Sequence, residues 1–317
     1  LVELDNVVVE FETGLLKKRK VRVVDGISLK VKEKEVYGLV GESGSGKSTL
    51  GRASLRLYQL AKGKVVFEGL DITRTPESVL RPLRRRMQLI PQDPFGAINP
   101  LHTLGEALSE PLMVHYRLSK EEALEEVRKM LEDVGLTPPE EFLTRRPQQL
   151  SGGQLQRAVI VRAMLLKPKY VVADEPTSNL DASVRASIVK LLVDFKERYG
   201  QSMMFITHDI VLLSLIADRI GVMYLGQLVE EGPAHDIIEE PLHPYTKALL
   251  SSIPSIGFEA YVKKVELKGE IGDIANPPLG CRLHPRCPFA TENCGERVPP
   301  LIEVEKEKRR IKCWLYA

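Results

Sequence analysis

The sequence predicts an α/β fold: an antiparallel β subdomain leads into a parallel-sheet core, a helical insert interrupts that core, and a small Cys/Pro-rich C-terminal extension follows. Three observations carry the prediction. Apolar residues alternate over Val2 to Phe11 and again over Val21 to Val31, the period of half-buried antiparallel strands. Short apolar strands at Val36 to Val40, Tyr170 to Ala173, Met203 to Ile206 and Ile220 to Tyr224 alternate with helical stretches, the order of a parallel sheet. Between them, residues 103–148 are wholly helical in character.

The elements follow in chain order. Lys17-Lys18-Arg19-Lys20 lies between the first two strands and reads as a solvated hairpin tip, with a membrane-surface contact as the other reading. Val36 to Val40 runs directly into a glycine-rich loop and then a helix. In the insert, Ser119 and Glu122 form a capping box ahead of Ala123, Val127, Met130, Leu131 and Val134 on one helix face. Gly135 and Pro138 stop that helix. A further helix is expected over Gln154 to Leu166. The composition shifts to Pro, Cys and charge after Pro241. The expected division is 1–240 for the core, with the helical subdomain at about 95–165, and 241–317 for the extension.

Composition excludes several classes. At 317 residues with 43% apolar content the chain can bury a substantial core. A net charge of +2 gives no electrostatic case for a nucleic-acid partner. The apolar runs, such as Ile210 to Leu213 and Leu215 to Ala217, fall far short of the ~20 residues of a membrane-spanning helix. No charged-then-apolar secretory leader opens the sequence, so a cytosolic protein is expected, with any membrane role left to separate subunits.

Three motifs carry chemistry. Gly41-Glu42-Ser43-Gly44-Ser45-Gly46-Lys47-Ser48 fits the phosphate-binding pattern G-x-x-x-x-G-K-S/T in the required context of strand, loop and helix. Its glycines let successive N–H groups turn toward a phosphate, Lys47 brings a point charge, and Ser48 offers a hydroxyl to Mg2+. Tyr170 to Glu175 is a buried strand ending in two carboxylates; Asp174 suits a metal in a phosphate-loop enzyme, and Glu175 suits a general base that polarises water. An acidic pair capping the next helix is the plainer reading. Leu150-Ser151-Gly152-Gly153-Gln154 places Ser-Gly-Gly at a helix start, a second anion site made of helix N–H groups.

That last pentapeptide resembles the signature of the ABC ATPases, and the other elements follow in the family's order. The resemblance implies an ABC-type P-loop NTPase core that binds ATP through Gly41, Ser43, Gly44, Ser45, Gly46, Lys47, Ser48 and Thr49 of one chain. Ser151, Gly152, Gly153 and Gln154 of a second cassette complete the site. It implies Gln92 as the Q-loop glutamine reaching Mg2+ and the attacking water, and Ser48, Gln92 and Asp174 as the Mg2+ set. Glu175 is the implied base, His208 the switch histidine at the γ-phosphate, and Asp181 part of the D-loop Ser178-Asn179-Leu180-Asp181. Phe11 is the candidate for stacking on adenine, with a core role as the alternative. Asn179 for the commoner alanine, Leu155 for arginine and Pro91 for an aromatic depart from the family pattern.

The stretches Pro241 to Leu250 and Gly280 to Pro288 resemble the tail of dipeptide and oligopeptide importers, and Gly46 to Arg52 resembles the second of their two ATPase subunits. This implies a homologous ATPase partner, two membrane permease subunits, an extracytoplasmic solute-binding protein acting indirectly, no nucleic acid, and a place on the cytoplasmic face of the cell membrane. Peptides, oligosaccharides or nickel are the implied cargoes. A soluble ABC ATPase acting on nucleic acid or ribosomes is the alternative, and an exporter subunit is disfavoured by the tail. Cys281, Cys287, Cys294 and Cys313 have a spacing unlike paired zinc-ribbon cysteines. Four thiolates suit a 4Fe-4S cluster, which related subunits carry; zinc and unligated thiols stay open.

Overall fold

A computed structural model describes residues 1–14, 19–178, 180–252, 265–304 and 309–317. Lys17 and Lys18 of the expected hairpin tip, and Asn179, lie outside the described residues. The chain divides into two compact units, Leu1–Thr73 with Met204–Ala317, and Arg74–Met203.

The first unit opens with β1 (Val2–Thr13) and β2 (Arg19–Val31), antiparallel from the Val2–Val31 pair to the Thr13–Arg19 pair. This is the hairpin expected from the alternation, interrupted by register shifts between Leu4 and Glu10. β3 (Val36–Val40) is buried at every position, as a strand covered on both faces must be, and leads to α1 (Lys47–Ser54). β4 (Lys62–Phe67) pairs with β1, and β5 (Leu70–Asp71) closes a four-stranded antiparallel sheet in the order β2-β1-β4-β5.

The second unit carries α2 (Glu77–Arg84), β6 (Met87–Ile90), α3 (Leu104–Tyr116), α4 (Lys120–Asp133), α5 (Pro139–Thr144), α6 (Gly152–Met164), β7 (Tyr170–Asp174) and α7 (Ala182–Tyr199). β6 and β7 run parallel, from the Met87–Tyr170 pair to the Ile90–Ala173 pair. Capping boxes start three of its helices, Thr103 with Glu106, Ser119 with Glu122, and Ser151 with Gln154. The face Ala123, Val127, Met130 and Leu131 is buried, with Val134 just beyond it, where α4 packs on α3, α5 and α6. α6 begins two residues earlier than its pattern indicates, because the capping box of Ser151 admits Gly152 and Gly153 to the first turn.

The chain returns to the first unit within β8 (Ser202–Thr207), followed by α8 (Ile210–Ile216), β9 (Arg219–Tyr224), β10 (Gln227–Pro233), α9 (Ala234–Glu239), α10 (Pro244–Ser251), α11 (Glu292–Glu296), β11 (Ile302–Val304) and β12 (Arg309–Ile311). β3 and β9 are parallel; β9, β10, β12 and β11 continue antiparallel. The C-terminal segment is therefore knitted into the sheet through β12. Two buried carboxylates fix that join: Glu230 pairs with Arg309 at 2.8 Å, and Glu231 pairs with Arg219 at 2.6 Å and with Arg310. In the Glu230–Arg309 pair both ions have lost their hydration, so the pair adds little net stability while leaving either partner alone would be costly; Arg219 and Arg310 keep part of their surface in solvent. No helix among the described residues is long and apolar enough to cross a membrane.

His243 caps α10 from a buried position, its Nδ1 accepting the Tyr245 N–H at 3.2 Å while its backbone N–H donates to the Glu230 carboxylate at 3.0 Å. Burial, which strips hydration from an imidazolium, lowers its pKa from 6.5 to about 3. The unfolded chain therefore binds this proton first, so stability is fullest above 6.5 and falls as pH drops toward 3. The expected slope from this group is about 1.4 kcal/mol per pH unit within that window. His243→Asn keeps a capping acceptor without the titration, so denaturant unfolding of the variant should show a correspondingly flatter acid slope; an unchanged slope contradicts the assignment.

Candidate functional site

The first unit builds the phosphate loop. Gly46 caps α1 with φ 95°, and a Cβ there would stand 2.4 Å from the Val23 carbonyl oxygen, so β2 presses on the loop too closely for any side chain. Lys47 is buried, and its ammonium donates to the carbonyl oxygens of Gly41 (2.8 Å) and Glu42 (2.9 Å) and more distantly to Ser45 Oγ (3.5 Å). The Ser45 N–H donates to the same Glu42 oxygen at 3.2 Å, and its carbonyl accepts the Gly226 N–H at 2.9 Å. Ser43 and Gly44 are exposed, and Ser48 and Thr49 lie half-buried in the first turn of α1. The result is a loop tied down on several sides at the positive end of a helix, with the Lys47 ammonium held against its carbonyl oxygens.

Two other expected residues belong to this unit. Phe11 packs edge-on against Tyr58, centroids 5.2 Å apart, and keeps part of its surface exposed. His208 is exposed in the turn after β8, which is set by Thr207 Oγ1 accepting the Asp209 N–H (3.0 Å) and Asp209 capping Leu212 (3.1 Å).

The second unit holds the carboxylates. Asp174 ends β7 fully buried, and Glu175 follows with φ 46°, a left-handed backbone that a non-glycine residue adopts at a cost of order 1 kcal/mol. That turn aims the Glu175 side chain out of the strand direction. Its Oε2 accepts from Gln92 Nε2 at 3.0 Å and from Ser178 Oγ at 2.8 Å. The fold thus joins Gln92 to Glu175 across a long sequence separation. Ser178, a D-loop residue by its motif, is a second holder of the carboxylate, and its i+3 spacing from Glu175 is the one sequence signal of that contact. Asp181 is exposed at the cap of α7.

The signature segment starts α6. Ser151 Oγ accepts the Gln154 N–H at 3.3 Å, and Gln154 Oε1 accepts the Ser151 N–H at 3.0 Å. Gly152 is exposed, whereas Gly153 lies against α7, where a Cβ would stand 2.8 Å from Val184. Leu155 is fully buried, so the departure from arginine places a core side chain on the inner face of α6. Pro91 follows β6 half-buried.

The four cysteines share one locality of the first unit. The Cys281 N–H donates to the Cys294 carbonyl at 2.8 Å. Burial, and then the nearby thiols, push Cys281 and Cys287 upward and Cys313 up to about 11. Among the described residues, however, no three His, Cys, Asp or Glu side chains stand in a metal-holding arrangement.

A phosphate loop at a strand–helix junction and a carboxylate ending a buried strand define a nucleotide-hydrolysing cassette. Residues 24–178 match the ABC transporter family, and residues 229–294 match the C-terminal region of oligopeptide/dipeptide transporters. The chain is 42% identical to the oligopeptide transport ATP-binding protein AppF of Bacillus subtilis, over 96% of this chain and 93% of that protein. It is 40% identical to the di/tripeptide transport ATP-binding protein DppF of Pseudomonas aeruginosa, over 96% and 93% of the two chains. Among solved structures it resembles the ATP-binding cassette MJ0796 in a dimeric post-hydrolysis state bound to ADP and Pi, with TM-score 0.67 and 30% identity, covering 74% of this chain and 99% of that one. The chain belongs to the ABC transporter ATP-binding family, as a cassette that binds and hydrolyses ATP, and carries the C-terminal region of the oligopeptide/dipeptide branch.

Proposed function

We propose that this cassette energises the import of peptides, or of a related solute such as an oligosaccharide or nickel, by closing with a homologous second ATPase subunit around ATP. The observation that carries the reading is the Glu175 carboxylate held by Gln92 and Ser178 in a chain whose tail matches the oligopeptide/dipeptide transporters. Gly41 to Thr49 cradles the phosphates, with Lys47 as the point charge and Phe11 against the adenine. Ser151 to Gln154 serves the nucleotide of the opposite cassette: opening the capping box frees the serine hydroxyl and helix N–H groups for a γ-phosphate. Asp181 reaches toward that partner, and His208 contacts the γ-phosphate.

The oxygen donors of Ser48, Gln92 and Asp174 fit a hard cation such as Mg2+, which supplies charge neutralisation to the phosphoryl group when bound. Glu175 takes the proton of the attacking water, and Gln92 keeps its carboxylate aimed. Two membrane permease subunits at the cytoplasmic face of the cell membrane are the mechanical partners, with the solute-binding protein acting through them. Phe95 and Leu101, both exposed in the loop after Gln92, supply an apolar contact for such a subunit. Nucleic acid has no part in this reading.

Glu175→Gln keeps the shape and loses the basicity, so ATP binding should persist while hydrolysis by the assembled transporter falls by about a hundredfold or more. Steady-state turnover near wild type contradicts the assignment.

Four soft sulfur donors in one locality are the donor set of a 4Fe-4S cluster, to be held by Cys281, Cys287, Cys294 and Cys313, whose thiols would lose their protons on binding it. Protein purified anaerobically should then be brown and contain about four irons per chain. Stoichiometric zinc without iron replaces the cluster by a zinc site, and four titratable thiols without metal remove both.

A further inference from the structure

The C-terminal segment reaches back to the phosphate loop and holds its second residue by both backbone and side chain. The Glu42 N–H donates to the Tyr245 hydroxyl at 2.8 Å. The Glu42 carboxylate accepts two bonds from Arg286, at 3.0 and 3.4 Å. Arg286 also donates to the Tyr224 hydroxyl at 3.3 Å and lies over that ring, 5.8 Å from its centroid, and the Tyr224 and Tyr245 rings are 4.7 Å apart. The carbonyl of the same Glu42 accepts from Lys47, the cation of the cradle. Glu42 is thus fixed at its N–H, its C=O and its carboxylate, two of the three by residues more than two hundred positions away.

The site of attachment has an electrostatic consequence. Glu42 places a negative charge beside a loop built to receive a polyanion, and an unneutralised carboxylate there opposes phosphate binding. The Arg286 fork cancels that charge and orients its carrier at once. Tyr245 is fully buried, and burial keeps its phenol neutral, so it serves the Glu42 N–H as a plain hydroxyl acceptor. Arg286 stands next to Cys287, in a turn where the Leu283 carbonyl accepts both their N–H groups (2.9 and 3.0 Å). The cysteine-bearing segment therefore carries one member of the clamp.

We propose that Arg286 and Tyr245 are positioning residues of the phosphate loop, through which the C-terminal segment sets the affinity of this cassette for nucleotide. The proposal rests on the reading of Gly41 to Ser48 as the phosphate cradle. Its charge component has a signature that packing alone lacks: removing the Glu42 charge should repair the loss of Arg286.

The test is titration of the full chain with a fluorescent ATP analogue, with thermal unfolding measured in parallel. Arg286→Gln should weaken binding about three- to tenfold, the scale of a partly exposed charge pair. Combining it with Glu42→Gln should return affinity to within about twofold of wild type. Tyr245→Phe keeps the ring and its packing and should weaken binding about two- to fivefold for one lost hydrogen bond. Lys47→Ala distinguishes the two readings. If it abolishes binding while Arg286→Gln and Tyr245→Phe bind as wild type, the clamp is overturned and the cradle stands; if Lys47→Ala also binds normally, the cradle itself is wrong. A loss in Arg286→Gln that Glu42→Gln does not repair overturns the charge role. Should Arg286→Gln fail to fold, Tyr245→Phe decides the proposal alone, and unchanged affinity in it overturns the clamp.

Discussion

The phosphate loop depends on one constraint: a buried ammonium and a ring of backbone N–H groups must be held in place with no apolar core of their own. Lys47 meets it by bonding the carbonyl oxygens of Gly41 and Glu42, which ties both ends of the turn to one ammonium. The rest of the first unit supplies the walls. β2 presses the Val23 carbonyl against Gly46, Gly226 bonds the Ser45 carbonyl, and Tyr245 and Arg286 hold Glu42. A short loop alone could not order so many polar groups against their conformational entropy.

The C-terminal segment follows from that constraint. Its Arg309 is the ion-pair partner of the fully buried Glu230, and its Arg310 joins Arg219 on Glu231, so β12 docks in a single register. The dock brings the cysteine locality to the same unit as the phosphate loop, and Arg282 adds ion pairing to Asp25 of β2. The family relationship explains why ATPase chemistry resides here; the packing explains why the segment belongs to the ATPase rather than trailing from it.

Elements governed by local pattern were legible in the sequence. Val36 to Val40 was bounded correctly because a fully apolar run meets a glycine loop, and the Ser119 capping box because its two partners are three residues apart. The same spacing recurs in Thr103 with Glu106 and Ser151 with Gln154, and the second of these capping boxes starts α6 ahead of its apolar pattern. Pairings set by tertiary packing had no local signature: Gln92 with Glu175, Arg286 with Glu42, and Arg309 with Glu230 each join residues far apart in the chain. The left-handed backbone of Glu175 was equally hidden, since its residue type argues against it.

A cassette that is the energy source of a solute importer must couple its ATP hydrolysis to uptake, and that coupling is the most direct test. The measurement is ATP hydrolysis and peptide uptake together, in proteoliposomes holding this chain, its partner ATPase and the two permease subunits, with the solute-binding protein outside. ATP on the cassette side should drive peptide accumulation against its gradient, and peptide-loaded binding protein should raise the hydrolysis rate. Hydrolysis that proceeds at one rate with and without the loaded binding protein, with no accumulation of peptide or of the related solutes, would contradict the account.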